Sequence, residues 1–177
     1  MQLSGEQEVA IADTMNPSYG VVLLTGPAGS GKSTIIREIR KRGNVQVSAT
    51  TGKAAMNIDG MTVDKLFGLV REEWKLWKPA YTDYLMKKAP QTLLIDEASM
   101  IGEKMGNLIF DTAVQHKKRL IIVGDWGQAA PVKDGWAFSS RLFQMAKVVK
   151  LTECHRQSVG PYLNALNKVR IGQVDAE

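Results

Sequence analysis

The chain has 177 residues, 44% hydrophobic and 23% charged, an ordinary balance for a globular domain. A single cysteine, Cys154, excludes an internal disulfide, and no apolar run approaches the ~20 residues of a membrane span. Residues 1–6 lack the basic and apolar regions of a secretory leader, so an intracellular setting is expected. A net charge of +5, with a pI of about 9.3, favours a polyanionic partner.

The first helix start lies at Ser4, where Ser4 and Gln7 stand three apart in the spacing of a capping box. Next comes a strand-like run, Val21-Val22-Leu23-Leu24, and then Gly26-Pro27-Ala28-Gly29-Ser30-Gly31-Lys32-Ser33. This fits G-x-x-x-x-G-K-[ST] in the context that motif requires, between a strand and a helix over 33–42. Glycines let the backbone N–H groups turn toward phosphate oxygens, and the helix N-terminus adds its positive end. The pattern predicts a nucleoside triphosphate site spanning Gly26 to Thr34. Lys32 would face the β- and γ-phosphates, and the Ser33 hydroxyl would face Mg²⁺.

Gly43 ends that helix, and Val45-Gln46-Val47-Ser48-Ala49 reads as a second strand. A short helix follows over 53–58, with Thr51 and Lys53 at its start. These two either cap the helix or offer polar groups to a phosphate. In the segment 71–89, Trp74, Trp77, Tyr81 and Tyr84 are mixed with lysines. Their helical spacing favours a buried stripe over a base-stacking surface, and Pro79 interrupts any single long helix.

Thr92-Leu93-Leu94-Ile95 and Leu120-Ile121-Ile122-Val123 are continuous apolar runs, as in buried parallel strands. Between them Leu108, Ile109, Ala113 and Val114 outline a helix face. Asp96 and Glu97 follow the first run, at the strand end where ligands bind in open α/β sheets. Asp96 is placed for Mg²⁺ and Glu97 to take a proton from an attacking water. Asp125 and Gln128 follow the second run, with Gln128 within reach of a γ-phosphate. A last strand is expected over 148–151, and a helix after Gly160-Pro161. Alternating β and α elements predict an α/β fold, a mainly parallel sheet with helices on both faces.

Taken in order, these motifs resemble the first RecA-like domain of a superfamily 1 DNA helicase, in the branch of RecD, Dda and the PIF-type helicases. Leu3-Ser4 with Gln7 resembles the adenine-reading motif, and the phosphate loop is motif I. Ser48-Ala49-Thr50-Thr51-Gly52-Lys53-Ala54-Ala55 resembles the branch's DNA-contacting A-P-T-G-K-A-A signature, and Gly60-Met61-Thr62-Val63-Asp64 the T-I-H segment. Leu94 to Met100 is similar to motif II, Gly124-Asp125 with Gln128, Pro131 and Val132 to motif III, and residues 151–157 to the approach to the fourth motif's arginine, Arg156. Asp64 stands where the family has histidine, and Ala129-Ala130 replaces a Leu-Pro pair.

The resemblance implies a P-loop NTPase of the RecA-like fold over residues 1–177, with a small insertion at about 71–89 and the second RecA-like domain absent. It implies ATP and Mg²⁺ as cofactors, with Gln7 reading adenine. Thr51, Gly52, Lys53 and Thr62 would contact single-stranded DNA. Lys32, Glu97, Gln128 and Arg156 would carry the chemistry. The implied activity is 5′-to-3′ translocation with unwinding of fork DNA. A stand-alone ATPase switch acting on a protein partner is the alternative. A small-molecule P-loop kinase fits less well, because Glu97 adjoins Asp96 and because of the Thr51-Gly52-Lys53 signature.

Overall fold

Helices and strands alternate along the computed structural model, which describes residues 3–70, 73, 75–125 and 137–153. The order is α1 (Gly5–Met15), β1 (Val21–Thr25), α2 (Lys32–Arg42), β2 (Val45–Ala49), α3 (Gly52–Asn57), β3 (Met61–Thr62) and α4 (Val63–Phe67). A short antiparallel pair follows, β4 (Leu69–Val70) with β5 (Lys75–Leu76). Then come α5 (Pro79–Lys88), β6 (Thr92–Asp96), α6 (Glu103–Gln115), β7 (Arg119–Gly124), α7 (Arg141–Gln144) and β8 (Lys147–Lys150).

Among the described residues, six strands form one sheet in the order β3-β2-β6-β7-β1-β8, with every pairing parallel. Parallel neighbours need crossovers, and the crossover helices cover both faces. Successive strand residues therefore enter different cores. Val21 and Leu23 of β1, Leu93 and Ile95 of β6, and Leu120 and Ile122 of β7 pack with α4, α5, α6 and α7. Val22, Leu24, Leu94, Ile121 and Val123 pack on the other side, with α1, α2 and α3. This explains the unbroken apolar runs: neither face of these strands meets water. Each fully buried Leu, Ile or Val contributes roughly 1.5–3 kcal/mol.

Local chemistry sets the ends of the elements. Ser4 caps α1 through a complete capping box. The Arg119 guanidinium donates to the carbonyls of Thr14, Asn16 and Tyr19, fastening the end of α1 to the start of β7. Thr51 and Thr62 cap α3 and α4 through their hydroxyls.

Two expectations need correction. The inward face of α6 consists of Met105, Ile109, Thr112 and Ala113, while Val114 is 60% exposed. The apolar character of Val114 pointed to the wrong side of that helix. The aromatics of the 71–89 segment are not a buried stripe either: Trp77 is 58% and Tyr84 50% exposed. Pro79 opens α5 instead of interrupting a longer helix, and this sets the helical phase so that Thr82 and Met86 face the core. Trp74 lies outside the described residues, as does the helix expected after Gly160.

Candidate nucleotide and DNA site

Because all six strands are parallel, their carboxyl ends meet at one edge, the edge where open α/β sheets bind ligands. There β1 delivers the phosphate loop, β7 delivers Gly124 and Asp125, β6 delivers Asp96 and Glu97, and β2 delivers Thr50 and Thr51. Residues 26 to 97 of the sequence motifs are thus gathered by topology alone.

The loop has the backbone its glycines permit. Gly29 and Gly31 have φ of 85° and 86°, the left-handed region that side chains rarely enter. At Gly26 a Cβ would lie 2.8 Å from the Cβ of Leu151 and 2.9 Å from Ser30 Oγ, so only glycine fits. Lys32 Nζ arches back over the loop and donates to the carbonyls of Gly26 (2.7 Å) and Pro27 (2.8 Å). Within the loop Ser30 is fully buried, whereas Ala28 is exposed. Ser30 Oγ has no hydrogen-bond partner among the described residues. Lys32, Ser33 and Thr34 form the first turn of α2, where the Thr34 N–H donates to the Gly31 carbonyl at 2.9 Å and the positive end of the helix faces the loop. A cradle of N–H groups with an ammonium beside it suits a polyphosphate.

Asp96 is largely buried, and burial raises its carboxyl pKa above the usual aspartate range. The neighbouring Glu97 charge raises it further, while the Glu97 N–H and the Lys32 charge act in the opposite direction. The Glu97 N–H donates to Asp96 Oδ1 at 2.8 Å. A desolvated carboxylate beside a second acid is electrostatically short of positive charge. Together with the Ser33 hydroxyl it offers oxygen ligands only, the donor set of Mg²⁺. The residues present therefore fit that ion.

Glu97 itself adopts φ 54°, ψ 37°, left-handed backbone in a non-glycine residue. Such conformations cost of order 1–3 kcal/mol and concentrate at functional sites. The end of β2 holds it in place. Thr50 N–H donates to the Asp96 carbonyl (3.3 Å), Thr50 Oγ1 to the Glu97 carbonyl (3.2 Å), and Thr51 Oγ1 to Glu97 Oε2 (3.0 Å). The same Thr51 oxygen accepts from Ala54 N–H at 3.2 Å, capping α3. One hydroxyl thus joins the expected general base to the expected DNA-contacting segment.

That segment is accessible: Gly52 and Lys53 are exposed. Ala49 is paired with Thr62 across β2 and β3, so the N-termini of α3 and α4 lie side by side at the site edge. The capping reading of Thr51 is realised, and Thr62 caps α4 in the same way. Gln7 is buried, and its Oε1 accepts from Ser4 N–H at 3.1 Å, so the capping reading of this residue is realised too. Gln128 and Arg156 lie outside the described residues. Sequence reasoning placed Ser30 in the nucleotide site but did not single out Thr50. Both sit inside motifs, where residue type alone does not tell a hydroxyl that holds a neighbour from one that faces solvent.

The family model described as AAA domain matches residues 2–177. The ATP-dependent DNA helicase PIF1 of Saccharomyces cerevisiae is 30% identical over 205 residues, which cover 99% of this chain and 24% of that protein. The ATP-dependent DNA helicase Pif1 of Bdellovibrio bacteriovorus is 31% identical, over 98% of this chain and 44% of its own length. The chain thus spans less than half the length of these curated relatives. A crystal structure of Pif1 helicase from Bacteroides, in complex with ADP-AlF3 and ssDNA, superposes with a TM-score of 0.81 at 26% identity. The match covers 99% of this chain and 48% of that one. The sheet described above is accordingly a RecA-like α/β fold of the kind in Pif1 helicases, and the chain belongs to the AAA domain family.

Proposed function

We propose that this chain is the ATP-binding motor domain of an ATP-dependent DNA helicase, working inside the cell on single-stranded and fork DNA. The observation that carries the proposal is the shared hydroxyl of Thr51. It hydrogen-bonds Glu97 Oε2, and it stands one residue from the exposed Gly52-Lys53 pair.

In this reading the β- and γ-phosphates of ATP displace the Gly26 and Pro27 carbonyls from Lys32 Nζ. Residues 26–34 enclose the phosphates with N–H groups, and Gln7 lies on the adenine side. Ser33 and Asp96 hold Mg²⁺, which supplies charge neutralisation at the phosphate oxygens when bound. Glu97 accepts the proton of the attacking water. Gln128 and Arg156 report the γ-phosphate. Thr51, Gly52, Lys53 and Thr62 grip phosphates of the DNA strand, using helix N-termini and one ammonium. The domain comprises residues 1–177 with an insertion at about 71–89. It acts against a second RecA-like domain, moving 5′ to 3′.

ATP turnover with and without single-stranded DNA tests the proposal. Stimulation by DNA is expected, together with loss of ATP binding in Lys32→Ala. Turnover indifferent to DNA would instead favour the ATPase switch with a protein partner. Unchanged ATP binding in Lys32→Ala would overturn the nucleotide site itself.

A further inference from the structure

One carboxylate, at an unspecified position of the Leu3-to-Gln7 motif, collects three hydrogen bonds from the far end of the described chain. Glu6, in the first turn of α1, accepts from the Thr152 N–H and the Thr152 hydroxyl at Oε1, both at 2.7 Å, and from the Glu153 N–H at Oε2, 3.0 Å. These are the next donors after the sheet ladder. β8 ends at Lys150, and Leu151 N–H still bonds the Thr25 carbonyl at 2.8 Å. Glu6 therefore captures the chain as it leaves the sheet. Glu8, in the same helical turn, serves differently: it pairs with Arg42 of α2 at 2.9 Å.

Two further observations give the clamp a direction. The seam it closes opens on its outer side as a groove lined by Glu6, Val9, Asp13, Lys147, Val148 and Lys150. Val9 is 62% and Val148 52% exposed at this outer edge, while beneath it Ala10 and Ile11 of α1 share a core with Val149 and Leu151, so the carboxylate adds polar contacts to a packed seam. The clamped segment also walls the phosphate loop. The position of a Gly26 Cβ lies 2.8 Å from Leu151 Cβ and 3.0 Å from the Leu151 carbonyl oxygen. A continuous line of contacts thus runs from α1 through Glu6 and residues 151–153 to the first glycine of the loop.

We propose that Glu6 is a positioning residue of the nucleotide site. It presses residues 151–153 against Gly26 and fixes α1, with the adjacent Gln7, in register with the phosphate loop. The base side and the phosphate side of the site are set together by one carboxylate. The inference rests on the ATP-site reading given above.

Steady-state ATP hydrolysis by the full-length protein, with GTP as comparison, tests it. Glu6→Ala is expected to raise the KM for ATP about tenfold, the scale of a lost charge-assisted hydrogen bond, with kcat held within about threefold. The preference for ATP over GTP should shrink, which a merely stabilising acid would not change. Thr152→Val removes the hydroxyl but keeps both N–H donors, so a smaller rise in KM is expected. Added to Glu6→Ala, it should cause no further loss. Circular-dichroism melts verify folding, and if Glu6→Ala does not fold, the KM of Thr152→Val decides. KM values and nucleotide preference within about twofold of wild type in the folded variants would overturn the proposal, as would additive effects in the double variant. Lys32→Ala separates the two levels: if it still binds ATP, the site reading fails and the clamp is not at issue.

Discussion

At Glu97 a strained backbone and a shared hydroxyl meet, and together they define what this carboxylate can do. Left-handed φ turns the side chain away from the strand direction. Three donors from the end of β2 then fix the corner, two from Thr50 and one from Thr51. Glu97→Gln preserves the shape and keeps an oxygen for the Thr51 hydroxyl, but it removes the proton acceptor. ATP binding by calorimetry should be retained, while turnover falls ~10²–10⁴-fold, the usual loss for a positioned general base. Turnover within a few-fold of wild type would assign the base elsewhere. The phosphate loop was legible in the sequence because its chemistry lies in eight consecutive residues with a fixed backbone demand. The strain at Glu97 was not, since a glutamate gives no signal of left-handed backbone, unlike glycine, asparagine or aspartate. The Glu6 clamp was not legible either: an acid in a first helical turn reads as a partner for the helix dipole, and its donors are 146 and 147 residues away.

Elements buried on both sides were the easiest to read. β2 runs over the residues its pattern marked, and β6 and β7 extend their apolar runs by one or two residues. Burial on both faces leaves no alternation to misinterpret. Helices with one wet face were harder. Counting apolar residues put Val114 inside, whereas the packing of α6 against β6 and β7 uses Ile109 and Ala113.

The aromatic segment failed for a related reason: the spacing of Trp77, Tyr81 and Tyr84 fits a stripe facing either way. In the structure Trp77 and Tyr81 meet edge to face at 5.6 Å, and Tyr81 and Tyr84 stack at 6.4 Å. Lys78 and Lys88 sit over the Trp77 and Tyr84 rings at 4.7 and 4.5 Å. An exposed ladder of rings edged by ammonium groups matches the chemistry of a single strand, bases to rings and phosphates to lysines. Trp77→Ala should weaken single-stranded DNA binding by about 1–3 kcal/mol in a fluorescence titration, with little effect on thermal stability. Unchanged affinity would make the ladder a surface feature without a part in the track.

At the scale of the whole molecule, the sheet separates two complete cores and gathers every described site residue at one edge. Folding and function therefore make different demands on chain length. Burial on both faces of β1, β6 and β7 is satisfied within the described residues, so residues 1–177 expressed alone should fold and melt cooperatively. The proposed motor has a second requirement, because DNA must be held by one domain while another advances. Charge developing on the γ-phosphate also calls for cations on both sides of the nucleotide, and Lys32 lies on one side only. The isolated segment should then bind ATP weakly, hydrolyse it slowly and fail to separate a forked duplex, whereas a longer chain carrying both domains should bind ATP tightly, turn it over and separate the strands. A strand-displacement assay run beside phosphate release, on the segment and on the longer chain at equal concentration, makes the comparison. Robust unwinding by monomeric 1–177, with monomer state verified by light scattering, would show that one RecA-like domain suffices and would overturn the two-domain mechanism.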